Sequence, residues 1–227
     1  MANEDRGGWE DRSGRSGELP LRERKKRATR QRISDVATGL FVARGFDEVT
    51  VAEVARAAEV SAMTVFNYFP RKEDLFLDRI PEAVEMFAGA VRHRAPGEGP
   101  LAALRALALR LLDERHPLGG VDDDFPHFWR VVIASPALRA RAREGVEELE
   151  EAVARAFAET APEFADPVLA AALTVAAYRT VYVTAARRLL AGEAADEVAA
   201  GHRVRVCAAF DALEAVFAPP SGTSLDG

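Results

Sequence analysis

Seven cations crowd into eleven residues near the start of the chain: Arg22, Arg24, Lys25, Lys26, Arg27, Arg30 and Arg32. A cluster this dense suits one kind of chemistry, the holding of a polyanion, although a solvated charge run reads the same way when taken alone. The excess is local. Residues 22–72 carry 11 Lys/Arg against 6 Asp/Glu, a balance of +5, while the remainder stands at −11 and the whole chain at −6. Salt screens charges over about 8 Å in cells, so acidic residues several such lengths away do not cancel a basic segment pressed against a polyanion.

Two further sets of residues follow the basic arm. Thr50-Val51-Ala52-Glu53 has the spacing of a capping box, and Ser61 offers another N-cap. The elements implied are short. A first helix runs from about Lys25 to Arg44-Gly45, because Ile33, Val36, Ala37, Leu40 and Phe41 repeat at helical spacing. A second runs from Thr50 to about Ala58, and Glu59-Val60 turns the chain. A third covers about Ala62 to Phe69, burying Val65 and Phe69 and stopping at Pro70. Two short helices joined by a tight turn, with a long helix packed across them, have the geometry of a helix–turn–helix that lays its second helix in the major groove of DNA. The outer face of that third helix carries Ala62, Met63, Thr64, Asn67 and Tyr68, which suit thymine methyls, base edges and phosphates. The bundle-core alternative is accepted for Phe69 and stays open for Phe66 and Tyr68.

The string from Arg30-Gln31-Arg32-Ile33 through Arg44-Gly45-Phe46, Ala58-Glu59-Val60-Ser61 and Thr64-Val65-Phe66-Asn67-Tyr68-Phe69-Pro70-Arg71-Lys72-Glu73-Asp74-Leu75 resembles the TetR (tetracycline-repressor-like) family of transcriptional regulators. The resemblance implies a cytoplasmic, ligand-responsive homodimer that binds double-stranded DNA, usually as a repressor. It also implies positions. Lys25, Lys26, Arg27 and Arg30 belong to the arm, Thr50 and Lys72 look like phosphate anchors, and Ser61, Ala62, Met63, Thr64, Asn67 and Tyr68 look groove-facing. Three departures stand out: Glu59 where the family commonly has Gly, Met63 for a small residue, and Phe66 for a common Tyr, with Tyr68 standing where His is frequent.

Beyond the head, a fourth helix is expected from about Arg71-Lys72 to Arg92, kinked or broken at Pro81, and it would be the natural lever between head and body. Pro and Gly punctuation places further helices at about 100–115, 124–133, 136–160, 166–190 and 195–217, with no alternating strand pattern. The fold class is therefore all-α: an N-terminal three-helix helix–turn–helix domain (22–72), then a larger helical effector-binding and dimerisation domain (73–218), with disordered tails at 1–21 and 219–227. In the last two helices, Leu173, Ala177, Val181, Ala185 and Leu189 with Val204, Cys207, Ala208, Phe210, Asp211 and Leu213 resemble the family's four-helix dimer interface. Phe87, Phe125, Phe128, Trp129, Tyr178 and Tyr182, with polar His127, Arg130 and Arg179, are candidates for lining an effector pocket, although rings on helices often just fill cores.

Composition narrows the rest. At 227 residues, 48% apolar and 29% charged, the chain has the makeup of a folded protein. The N-terminal residues lack the apolar stretch of a secretory signal, and the lone Cys207 suits a reducing cytoplasm. The longest apolar run, Val168 to Tyr178, falls short of the roughly 18 residues of a membrane span. Asp122-Asp123-Asp124 with His127 and His116 lacks tetrahedral metal-ligand spacing, so no metal or other cofactor is expected. No nucleophile elbow, phosphate loop or dinucleotide fingerprint points to an enzyme. The competing function is a helical small-molecule carrier or interaction protein that has lost DNA binding, suggested by Glu59, Met63 and the acidic total.

Overall fold

The computed structural model describes residues 20–122 and 125–218. The expected tails therefore lie outside the described residues as far as residue 19 and from 219 onward, as do Asp123 and Asp124. The described residues form nine helices and no strand: α1 Leu21–Arg44, α2 Val51–Ala57, α3 Ala62–Tyr68, α4 Ile80–Arg92, α5 Pro100–Asp113, α6 Phe125–Ala134, α7 Pro136–Thr160, α8 Pro167–Leu190 and α9 Ala195–Phe217.

Local chemistry sets most of these boundaries. The capping box closes α2, Ser61 caps α3, Ser135 caps α7 and Asp166 caps α8, each side-chain oxygen accepting from an amide one turn on. Pro100, Pro136 and Pro167 each open a helix, where the missing N–H costs nothing and the fixed φ already suits the first turn. Two expectations need correction. Helix α1 starts at Leu21 rather than near Lys25, with Pro20 as its boundary and Glu23 in its positive first turn. The fourth helix does not begin at Arg71-Lys72: a short 3-10 turn, Glu73–Leu75, comes first, and α4 begins only at Ile80. Pro81 is thus in the opening turn and initiates the helix instead of kinking it.

Three packed clusters hold the chain together. The head core joins Ile33, Ala37 and Phe41 of α1 to Val54, Ala55, Val65 and Phe69, and continues past residue 72 into Leu75, Phe76 and Leu77. It also takes in Val131 and Val132 of α6 and Leu138 of α7. The body core is built on α4, α5, α7, α8 and α9, with Phe157, Leu104, Leu107 and Phe210 deeply buried. A smaller cluster sets Leu112, Val121 and Phe125 against Ala185, Ala186, Leu189 and Val198. Each fully buried Leu, Ile or Phe contributes roughly 1.5–3 kcal/mol, so the head is stabilised in part by residues of the body. Gly145 shows how close α4 and α7 lie, since a Cβ there would come 2.7 Å from Ile80 Cδ1.

Helix α8 is, at 24 residues, long and apolar enough to cross a bilayer by length and composition. In the structure it packs between α7 and α9, where Ala170, Ala171, Thr174, Val175 and Tyr178 are buried. Its Thr174 hydroxyl is satisfied within the helix, donating to the Ala170 carbonyl at 2.7 Å.

Candidate functional site

The α2–α3 pair is built as its sequence predicts. Glu53 N–H donates to Thr50 Oγ1 at 3.2 Å, and Thr50 N–H and Oγ1–H both donate to Glu53 Oε2 at 2.8 Å. The amide hydrogen bond from Thr50, then the Arg44 guanidinium, hold the Glu53 carboxyl down at about 2. Both donors of Thr50 are therefore engaged, and it can meet a phosphate only by turning its hydroxyl away from Glu53. Between the helices Glu59 has φ 54°, a left-handed conformation that glycine adopts freely and a glutamate holds at a cost of about 1 kcal/mol. The Val60 amide closes the turn on the Ala55 carbonyl at 2.9 Å.

Helix α3 buries Val65 and turns its other face outward. Ser61, Ala62, Met63 and Asn67 are exposed, Met63 at 69%. Phe66, a core alternative in the sequence, is 47% exposed and joins this face. With Val65 and Phe69 defining the buried side, helical phase puts position 66 toward its edge, a signal that aromatic character obscures. Thr64 is half-buried, its hydroxyl 2.8 Å from Ser61 Oγ, and Tyr68 is half-buried against the head core. The outward face is thus largely uncharged, with two large apolar side chains that water does not favour.

The cations fall into two groups. Lys25, Lys26 and Arg27 are exposed on the first turns of α1. Arg30 instead braces the head: its guanidinium lies 4.7 Å over the Phe69 ring and donates to the Asp78 carbonyl at 3.0 Å, and Asp78 also accepts from Ser34 Oγ at 2.8 Å. Lys72 Nζ donates to the Phe46 carbonyl at 2.6 Å and sits 4.2 Å from the Phe46 ring centroid. That leaves two of its ammonium protons for another acceptor. Head and body are tied by the buried Arg141, which donates to Asp74 at 2.7 Å and Glu148 at 2.8 Å, and by Arg71, which donates to Glu144 at 2.6 Å.

The aromatic candidates of the body come together. Phe87 of α4 meets Tyr178 of α8 at 5.3 Å between centroids, Tyr178 meets Tyr182 at 6.3 Å, and Tyr182 meets Phe125 at 5.5 Å and Trp129 at 6.2 Å. Phe125 stacks on Phe128 at 5.8 Å, and Phe128 stacks on Phe76, in the link from the head, at 5.0 Å. Gly120, at φ 76°, passes so close over Tyr182 that a Cβ would come 2.5 Å from the ring. Within this cluster Tyr178 Oη and Trp129 Nε1 are buried without a hydrogen-bond partner, and desolvation pushes both tyrosine hydroxyls above their ordinary pKa. The polar candidates do not join the rings. His127, Arg130 and Arg179 are all exposed, because they sit on the opposite phase of α6 and α8, and His127 Nδ1 faces Arg130 at 3.5 Å. Among the described residues no group of His, Cys, Asp or Glu could hold a metal.

The expected dimer-forming residues also divide. Val181, Ala185, Leu189, Phe210 and Leu213 are buried within the chain, whereas Leu173, Val204 and Ala208 are exposed. Val168 and Leu169 of α8 and Val216 of α9 extend the exposed apolar set.

Residues 33–78 match the model of the family described as bacterial regulatory proteins, tetR family. The chain is 37% identical over 143 residues to the HTH-type transcriptional regulator TcmR of Streptomyces glaucescens, across 61% of this chain and 62% of that protein. It is 45% identical over 49 residues to the mycofactocin biosynthesis regulator MftR of Mycobacterium tuberculosis, covering 22% of this chain and 25% of MftR. The chain thus spans less than two thirds of the curated relatives it matches. In fold it is similar to a TetR-family transcriptional regulator from Mesorhizobium loti, with TM-score 0.55 and 22% identity over 85% of this chain and 98% of that one. It is also similar to SmeT of Stenotrophomonas maltophilia in a triclosan complex, with TM-score 0.55 and 16% identity over 83% and 91%.

Proposed function

We propose that the chain is a member of the tetR family of bacterial regulatory proteins and a DNA-binding transcriptional repressor, a reading supported by the match over residues 33–78 and the similarity to TcmR. It acts as a homodimer released from a pseudo-palindromic operator by a small-molecule effector. The observation that carries this is the α2–α3 pair: a capped two-helix reader with an exposed, uncharged outer face and a cationic arm beside it.

The parts have separate tasks. Lys25, Lys26 and Arg27 supply salt-sensitive attraction to the phosphate backbone, whatever the sequence. Lys72, oriented by the Phe46 carbonyl and ring, directs its remaining protons at one phosphate. Ser61, Ala62, Met63, Thr64 and Asn67 face the bases, with Met63 and Phe66 against thymine methyls and Asn67 able to bond an adenine edge. Thr50 and Tyr68 are secondary phosphate contacts, and Arg30 serves first to hold Asp78 and Phe69. Recognition by so short a helix needs two copies, and the exposed apolar positions of α8 and α9 supply the surface that pairs them. The effector acts in the helical body by population shift, favouring an arrangement of the two heads that no longer fits successive grooves. The reading requires no catalysis and a location where chromosomal DNA is accessible, the cytoplasm of a bacterium.

Selection of bound duplexes from a random pool at fixed salt tests this. The expected result is a two-fold symmetric consensus whose half-sites lie about 34–36 Å apart or a multiple of it. No binding at low salt would favour the carrier reading, and binding with no enriched sequence would overturn operator recognition.

A further inference from the structure

The ring cluster is built in a way that a simple core does not require. Tyr178 is 8% exposed, yet its hydroxyl has no acceptor, and the Trp129 indole N–H is equally without one. A buried donor left unpaired costs about 1–3 kcal/mol, so phenylalanine at position 178, equal in shape, would make a more stable interior. Both side chains adjoin Tyr182, which links the two orphaned donors within one set of rings. Among the described residues the cation–ring contacts lie in the head, at Arg30 and Lys72, and the polar neighbours His127, Arg130 and Arg179 are exposed. The cluster therefore offers flat apolar faces and donors, with no cation against its rings among the described residues.

Resting on the effector-responsive reading above, we infer that this cluster is the effector site and that its ligand is an uncharged, planar, conjugated molecule bearing carbonyl oxygens. Those oxygens accept from Tyr178 Oη–H and Trp129 Nε1–H, while the rings of Phe87, Phe125 and Tyr182 cover the ligand's faces. Indole N–H is a donor only, so the complementary group must be an acceptor. An ionised ligand is excluded by the same surroundings, because a buried charge without a partner is far more costly than an unpaired donor. The rings touch one another in the free protein, so the ligand enters by parting α6 from α8. That motion acts on the Phe128–Phe76 stack, because Phe128 is on α6.

Three matched pairs of probes test the inference on the full-length chain: fluorenone and fluorene, xanthone and xanthene, anthraquinone and anthracene. Each pair has one skeleton with and without carbonyl oxygen, and 9-aminoacridine supplies a planar cation. Binding is read from Trp129 emission in a Trp9→Phe background, leaving Trp129 as the sole indole. The expected result is that at least one ketone binds, tenfold or more tighter than its parent hydrocarbon, with 9-aminoacridine weaker still. Tyr178→Phe should weaken that ketone roughly three- to tenfold, leave the hydrocarbon unchanged and raise the melting temperature of the free protein. The inference is overturned if no ketone binds, if ketone and hydrocarbon bind alike, if the cation binds best, or if Tyr178→Phe lowers the melting temperature. Retention on the selected duplex, measured in parallel, separates the two readings. DNA binding without ketone binding removes this site and keeps the regulator, whereas ketone binding that leaves the DNA complex intact keeps the site and removes release by effector.

Discussion

His202 makes acid stability a quantitative test of the α8–α9 interface. Its side chain is 1% exposed, both ring nitrogens lack partners, and it shares a crevice with Thr184, Ala185 and Arg188 of α8 and with Val198 and Arg205 of α9. Desolvation holds its pKa at about 4 against an ordinary 6.5. The folded protein keeps the ring neutral while the unfolded chain protonates it, so the contribution is intact above pH 6.5 and declines as pH falls toward 4. A shift of this size, at 1.36 kcal/mol per pKa unit, amounts to a loss of about 3 kcal/mol across that window. Urea unfolding at pH 7.0, 5.5 and 4.0, at fixed protein concentration because the proposed dimer couples assembly to folding, gives the slope. His202→Leu should remove about 3 kcal/mol of that pH dependence and cost little at pH 7, since no hydrogen bond is lost. Parallel profiles for the two proteins would refute the reasoning. So would a loss of more than about 2 kcal/mol at pH 7, the size of a broken buried hydrogen bond.

Four other outcomes are expected. Glu59→Gly should stabilise the protein by about 1 kcal/mol in thermal unfolding, by relieving the left-handed backbone, and should tighten DNA binding by removing a carboxylate beside the phosphates. Lys72→Ala should lower the logarithmic salt slope of DNA binding by about 1 for all sequences, and cost roughly 1 kcal/mol of stability through the lost Phe46 hydrogen bond. Arg141→Met should cost on the order of 2 kcal/mol in urea unfolding. It takes the closer guanidinium from Asp74, which keeps Arg71 at 3.6 Å, and from Glu148, which is partly hydrated, so the loss stays below that of a fully buried pair. Val204→Glu places a charge at a 68% exposed apolar position, so sedimentation should show a folded monomer with much weakened operator binding.

The head was legible because its signals are local. The capping box, the Ser61 cap, the positive-φ demand at Glu59 and the proline openings of α5, α7 and α8 each act within four residues. The partners of Arg30 and Lys72 were not legible: Asp78 lies 48 residues from Arg30, and the Phe46 carbonyl lies 26 from Lys72. Such contacts turn residues that look like free cations by type into braces. Helical phase explains the split among the effector candidates. Phe125, Phe128 and Trp129 recur at i, i+3 and i+4, as Tyr178 and Tyr182 do at i and i+4, and so share faces. His127, Arg130 and Arg179 suit a pocket by their chemistry but fall out of that phase. The same phase, applied to α8 and α9, separates Leu173 and Val204 from the buried Val181 and Phe210.

The structure also moves the lever of the proposed mechanism. Helix α4 meets the head core at its first residue, Ile80, beside the link residues Leu75, Phe76 and Leu77 buried there. Helix α6 reaches both ends by itself. Its ten residues place Phe125 in the ring cluster, Phe128 against Phe76, and Val131 and Val132 in the head core. At its end Ser135 Oγ donates to Asp47 in the α1–α2 turn at 3.1 Å. A close-packed interior transmits displacement instead of dissipating it, so a ligand that shifts α6 must shift Phe76 and Phe41, whose rings meet at 5.8 Å, or break the stack. Coupling between effector and operator should then depend on the ring at Phe128 more than on any residue of α4.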